Sequence, residues 1–327
     1  MRRPRLGFLG VGWIGRHRME AMLATGAVEA AAVADPSDEM AAEALKLAPD
    51  AKRVEGLEGL LAEKVDGIVI ATPSALHAEQ SIRALEGAAA VFCQKPLGRT
   101  AEEARAVVEA ARKADRLLAV DLSYRFTRGM RRIRALLEEG ALGQVYAVDL
   151  VFHNAYGPDK GWFYDPALSG GGCVMDLGVH LVDLALWALD FPAVERVSSD
   201  LLSGGSPLRE GQVEDYAVAN LTLANGASVR LACSWRLAAG REAVISAAFY
   251  GTEGGAALRN VAGSFYDFTA ELYRGTATET LTSPPDVWGG RAAADWAERL
   301  ASGQGFDRAA ERLVDVARVL DRIYGRP

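Results

Sequence analysis

Up to about residue 122 the chain alternates short apolar runs with amphipathic stretches, and beyond that point the rhythm changes. Leu6 to Leu9, Glu29 to Ala34, Gly67 to Ala71, Ala89 to Cys93 and Leu117 to Asp121 have the length and apolar character of strands buried on both faces. Between them, helical spacing of apolar residues predicts helices at Ile14 to Thr25, Asp38 to Leu47, Leu76 to Leu85 and Ala101 to Ala114, the last capped by Thr100. Strand and helix in strict alternation call for a parallel sheet with right-handed crossovers, so residues 1–122 read as a doubly wound α/β domain.

Residues 123–327 read differently. A helix at Met130 to Glu139 leads into a β-rich stretch from Gln144 to Asn154, and a second helix, Val174 to Leu189, follows three glycines. Strands are predicted near Val194 to Leu201, Ala217 to Leu223, Ser228 to Trp235 and Ala243 to Tyr250, with Asn225-Gly226 as a hairpin turn. This is the pattern of an α+β domain, an antiparallel sheet with helices to one side. Arg291 to Tyr324 reads as two further helices, free to pack back on the first domain.

A length of 327 residues suits two domains, with room for a core and for a cleft of the kind that takes small ligands. Hydrophobic residues make up 50% and charged ones 24%, as in an ordinary globular chain. The net charge of −7 argues against nucleic acid or an anionic membrane surface as partner. Arg128, Arg131, Arg132 and Arg134 fall among acidic residues at helical spacing and read as a solvated helix face. No run approaches the roughly 20 apolar residues that a membrane span needs. The start, Met1-Arg2-Arg3 and an apolar stretch, faintly resembles a signal peptide, but glycines break the stretch and Arg16 closes it. Cys93, Cys173 and Cys233 lie too far apart for a zinc cluster or a disulfide framework, so the expected location is a reducing cytoplasm.

Several segments carry chemistry. Gly10-Val11-Gly12-Trp13-Ile14-Gly15 follows the first strand and opens the first helix, where glycines permit a tight turn, let a pyrophosphate approach and pack helix on strand. Asp35 ends the second strand, in the place of a carboxylate that binds an adenosine ribose; it also suits a turn before Pro36. Ala71-Thr72-Pro73, leading to His77, and Gln94-Lys95-Pro96 leave the carboxyl ends of later strands, where open α/β sheets bind ligands. Lys95, held by the proline after it, is either aimed at a ligand or a surface amine.

Further on, Asp176 and His180 stand four apart in a predicted helix and so share a face, with Asp183 one turn beyond and Gly178 between. Such a pair supplies a general base near neutrality with an orienting carboxylate. It also suits a structural hydrogen bond or half a metal site, but neither His77 nor His153 offers a matching partner, so no metal is expected.

The ordered set Gly10-x-Gly12-x-x-Gly15, Thr72-Pro73-x-x-x-His77, Lys95-Pro96, Tyr124-Arg125-Phe126, Leu142-Gly143, Gly170-Gly171-Gly172 and Asp176-x-x-x-His180 resembles the glucose-fructose oxidoreductase/inositol dehydrogenase (Gfo/Idh/MocA) family over essentially the whole chain. The resemblance implies a Rossmann domain joined to an open-sheet domain that often assembles dimers or tetramers. It implies reversible oxidation of sugars, cyclitols or related polyols. On it, Lys95 would hydrogen-bond the reacting oxygen, His180 would be the acid/base and Asp176 would orient it and bind substrate. Gly10, Gly12, Trp13, Ile14, Gly15, Asp35, Ala71, Thr72, Pro73, His77, Gln94, Lys95 and Arg125 would line the cofactor, NAD rather than NADP because Asp35 would oppose a 2′-phosphate. Lys52 or Arg53 are the basic residues in reach of that position. Lys95, Tyr124, His153, Asn154, Trp162, Tyr164, Asp176 and His180 would meet the substrate, with Tyr156, Asp165 and Trp235 as further candidates. Two departures stand out: Gln94 where the family usually has Glu, and Phe163 where many relatives carry arginine. An NAD-dependent glycosidase and a catalytically silent sugar sensor are the rival readings.

Overall fold

The computed structural model describes residues 2–326. The chain divides into two compact units, one of residues 1–121 with 290–314 and the other of residues 122–289 with 315–327. The tail is therefore shared: its first helix belongs to the first unit and its last turns to the second, rather than all of it to one domain.

In the first unit, six parallel strands lie in the order β3-β2-β1-β4-β5-β6. They are β1 (Arg5–Leu9), β2 (Glu29–Ala34), β3 (Lys52–Arg53), β4 (Gly67–Ile70), β5 (Ala90–Cys93) and β6 (Leu118–Val120). The order reverses beside β1, which creates the crevice at strand ends where dinucleotides bind. The connecting helices are α1 (Trp13–Ala24), α2 (Asp38–Leu47), α3 (Gly56–Ala62), α4 (Ser74–Glu86) and α5 (Ala101–Ala114). α5 starts at Thr100, whose hydroxyl accepts from Glu103 N, with acids in its first turn and bases in its last. α3 escaped the sequence reading because it is short and holds two glycines, which weaken a helical signal.

In the second unit, α6 (Arg128–Glu138), α7 (Pro166–Ser169) and α8 (Val179–Ala188) accompany a nine-stranded sheet of order β15-β14-β13-β12-β7-β11-β10-β8-β9. Its strands are β7 (Val145–Asn154), β8 (Val194–Ser203), β9 (Ser206–Pro207), β10 (Tyr216–Leu223), β11 (Ser228–Ser234), β12 (Ala243–Gly251), β13 (Gly255–Asn260), β14 (Phe268–Arg274) and β15 (Ala277–Thr282). The sheet is mixed, not purely antiparallel, since β7 and β11 run parallel at its centre. β13 to β15 were not legible; the edge strand β15 is polar and largely exposed, so alternation fails there. The tail helices are α9 (Arg291–Ala301) and α10 (Arg312–Ile323).

Val148, Leu150 and Phe152 of β7 point into the core beside Val179, Leu181 and Val182 of α8. The helical run Pro166–Ala188 is long and apolar enough to cross a membrane, against the expectation that no such run exists. Its most apolar window is 89% buried inside the protein, so a core position accounts for its composition.

Candidate active site

The glycines after β1 are dictated by space. Gly10 has φ +82°, and a Cβ there would lie 2.6 Å from Ala71 O; a Cβ on Gly15 would lie 2.0 Å from Gly10 O. The turn is held by Asp35, whose Oδ2 accepts from Val11 N at 2.8 Å and Oδ1 from Ser37 N at 2.9 Å. Asp35 thus anchors the loop and caps the next turn, and its remaining lone pairs are what a ribose could meet. Trp13 is 62% exposed at the start of α1 and stacks on His17, while Ile14 is half-buried beside it. A tight, side-chain-free turn opening a helix fits a dinucleotide pyrophosphate.

His77 turns out to join two loops. It is buried, with Nδ1 2.6 Å from Pro96 O and Nε2 2.7 Å from Thr72 O. Instead of facing a cofactor through its ring nitrogens, it ties the loop after β4 to the one after β5. Thr72 Oγ1 donates to Gln80, and Pro73 caps α4. Gln94 is buried and donates from Nε2 to Asp121 Oδ2 at 2.6 Å; Arg18 Nε donates to the same oxygen, also at 2.6 Å. Lys95 follows Gln94, joined to Pro96 by a cis peptide bond.

In the second unit Asp176 and His180 lie where expected in sequence, but the first turn is not an α-helix. Val174–Gly178 is a π-turn that runs into α8, the local irregularity often found at functional positions. Asp176 Oδ2 accepts from Trp235 Nε1 at 3.0 Å. His180 is buried, its ring 4.9 Å from that of Tyr124 and 6.4 Å from that of Phe152. Tyr124 is buried, packed against the imidazole and also against Phe268 and Trp288. Burial drives its phenol well above the ordinary range.

Arg125 makes a bidentate pair with Asp183 and lies over the rings of Trp187 and Phe191. These partners hold the guanidinium in place within the second unit. Burial raises the Asp183 pKa against the pull of this arginine. The period of two that sends Phe152 inward sends His153 to the opposite face of the sheet, where it meets Ser234 Oγ at 2.8 Å and stacks on Tyr216. Asn154 Oδ1 accepts from Tyr156 N, a local turn. Around Trp235 the structure does gather aromatic side chains: Phe163 and Tyr164 contact its ring, and Trp162 stacks on Phe163 at 3.8 Å. Tyr164 Oη donates to Pro158 O and accepts from Arg236. Asp165 caps α7.

Sequence reasoning missed Glu214, which is fully buried and accepts from Gly172 N, Val174 N and Tyr324 Oη. It stands 40 residues from Val174, with no local pattern to mark it. Among the described residues no cluster of three metal-ligating side chains exists.

Residues 5–122 match the oxidoreductase family with an NAD-binding Rossmann fold, and residues 130–257 the Gfo/Idh/MocA C-terminal domain. The D-glucoside 3-dehydrogenase of Escherichia coli (strain K12) is 31% identical over 68% of this chain and 64% of its own length, so just under two thirds of that relative is spanned. The levoglucosan dehydrogenase of Pseudarthrobacter phenanthrenivorans is 29% identical over 78% of this chain and 73% of its own. Among solved structures, GenD2 from gentamicin A biosynthesis in complex with NAD is 25% identical, with TM-score 0.83 over 99% of this chain and 94% of that one. Levoglucosan dehydrogenase in complex with NADH and levoglucosan shares the fold, with TM-score 0.84 at 23% identity over 99% and 97% of the two chains.

Proposed function

The chain belongs to the Gfo/Idh/MocA family of oxidoreductases, and from that premise we propose that it oxidises a hydroxyl-bearing carbon of a sugar, cyclitol or related polyol with NAD. The observation that carries the reading is the built carboxylate and imidazole segment, in which a tryptophan indole fixes Asp176 and an aromatic wall fixes His180. The bound cofactor supplies the acceptor for the hydride. His180 takes the hydroxyl proton, Asp176 orients the imidazole and binds a neighbouring hydroxyl, and Lys95 stabilises the developing alkoxide. The turn from Gly10 to Gly15 receives the pyrophosphate. The aromatic group around Trp235 offers the apolar face against which a sugar ring packs. Named relatives that act on glucosides, levoglucosan and inositol support this substrate class.

We propose self-association through the outer face of the nine-stranded sheet, where Ala147, Val151, Val218 and Val244 are only half-buried. The function is tested with a panel of sugars, cyclitols and sugar acids, followed at the absorbance of the reduced cofactor. Turnover with net NADH formation on one member is expected; glycoside cleavage without it would replace this reading by the glycosidase.

A further inference from the structure

The backbone N–H groups that open a helix have no partner within it, and at residues 172–174 burial excludes water as a substitute. Gly172 N donates to both carboxylate oxygens of Glu214 at 3.0 Å. Cys173 N donates to the Glu214 carbonyl at 2.9 Å, and Val174 N to Glu214 Oε1 at 2.8 Å. One residue therefore satisfies three consecutive donors, which a carboxylate can do because it accepts at several lone pairs. Its charge also sits at the positive end of the helical run.

Tyr324 Oη completes the set by donating to Glu214 Oε1 at 2.8 Å. Burial and the neighbouring carboxylate push the phenol pKa far up, so it stays a donor. The glycines before the turn make room for this arrangement. A Cβ on Gly172 would lie 1.9 Å from Glu214 O, and one on Gly171 would lie 2.0 Å from Tyr324 Oη. Next in the chain, Asp215 O accepts from Trp235 N at 2.7 Å, and the same tryptophan donates its indole N–H to Asp176. Residues 214 and 215 thus hold Asp176 from two sides, through the start of its turn and through its indole partner.

We infer that Glu214 is a positioning residue for the turn that carries Asp176 and leads to His180. This rests on the reading of those two residues as the acid/base pair. A displacement of about 1 Å at a reacting group can lower a rate 100-fold.

The test uses the Trp235 indole ¹H–¹⁵N signal, assigned among the six tryptophans with W235F, as a substrate-free report on Asp176. In E214A the signal should move toward that of a free indole, and kcat on the sugar found by the panel should fall at least tenfold with Kd for NAD unchanged. E214Q, which keeps one oxygen for Val174 N and Tyr324, should recover most of both effects. Where E214A does not fold, E214D serves instead: one methylene shorter, it should shift the signal in the same direction. A folded E214A or E214D with an unmoved indole signal overturns the inference, whatever happens to turnover. Wild-type turnover in H180N overturns the acid/base reading alone, and the indole signal still decides what Glu214 holds.

Discussion

Gln94 and Asp121 meet as an amide donating to a carboxylate, 2.6 Å apart at the ends of neighbouring strands, with Arg18 of α1 on the same carboxylate oxygen. The negative charge of this pair therefore resides on residue 121, and the amide at 94 donates to it alongside Arg18. Gln94→Glu would set two buried carboxylates against each other with one arginine between them. The expected loss is about 2–4 kcal/mol of stability at pH 7, from the cost of an uncompensated buried charge less the help of Arg18. Urea unfolding at pH 7 and pH 5 checks it, since protonating one carboxyl should shrink the loss. The double variant Q94E/D121N, which restores one donor and one acceptor, should recover most of the stability. If it fares no better than Q94E, the two positions do not exchange charge as argued.

Lys95→Ala should lower kcat by roughly 10² to 10³ while leaving the affinity for NAD within about twofold, because an oxyanion-type donor acts on the transition state. Steady-state kinetics with a direct titration of NAD separates the two quantities. A rise in KM with an unchanged kcat would make Lys95 a binding group only.

NAD should be preferred over NADP. A 2′-phosphate beside Asp35 would bring like charges together, and one unit pair at about 4 Å costs roughly 4 kcal/mol at an effective dielectric near 20. The two basic residues within reach are engaged by acids: Lys52 Nζ contacts both oxygens of Glu63, at 2.8 and 2.9 Å, and Arg53 pairs with Asp38. The expected ratio of kcat/KM for the two cofactors is at least 10-fold and up to about 10³-fold before screening. An NADP preference in the unmodified protein would show that one of those basic side chains leaves its acid.

His77 should make the fold sensitive to mild acid. Burial holds its pKa below the ordinary 6.5, with the carbonyls of Pro96 and Thr72 pulling the other way. The unfolded chain therefore binds a proton more readily than the folded one, so the contribution of His77 is full above pH 6.5 and is lost as the pH falls below it. The stability of H77Q should fall less between pH 7.5 and 5.5 than that of the wild type. Equal slopes for the two proteins would assign the acid sensitivity elsewhere.

The sequence by itself determined what is local. The strands of the first unit, their helices and the turn of Gly10 to Gly15 are written in apolar runs, caps and steric demands that span a few residues. Lys95, Asp176 and His180 stand out as candidates for the same reason, each lying in a short segment with its own glycine or proline signal. What only tertiary structure decided is which distant residues complete those segments. Glu214 closes the start of the turn that carries Asp176, Trp235 holds Asp176, and Asp121 carries the charge beside Gln94, each across a gap in sequence that no period spans. His153 and Arg125 likewise have partners that no local pattern announces. Strand parity sends His153 to the outer face, and Asp183 takes up Arg125. A buried donor or acceptor must find its partner wherever the chain passes, and where the chain passes is a property of the folded whole.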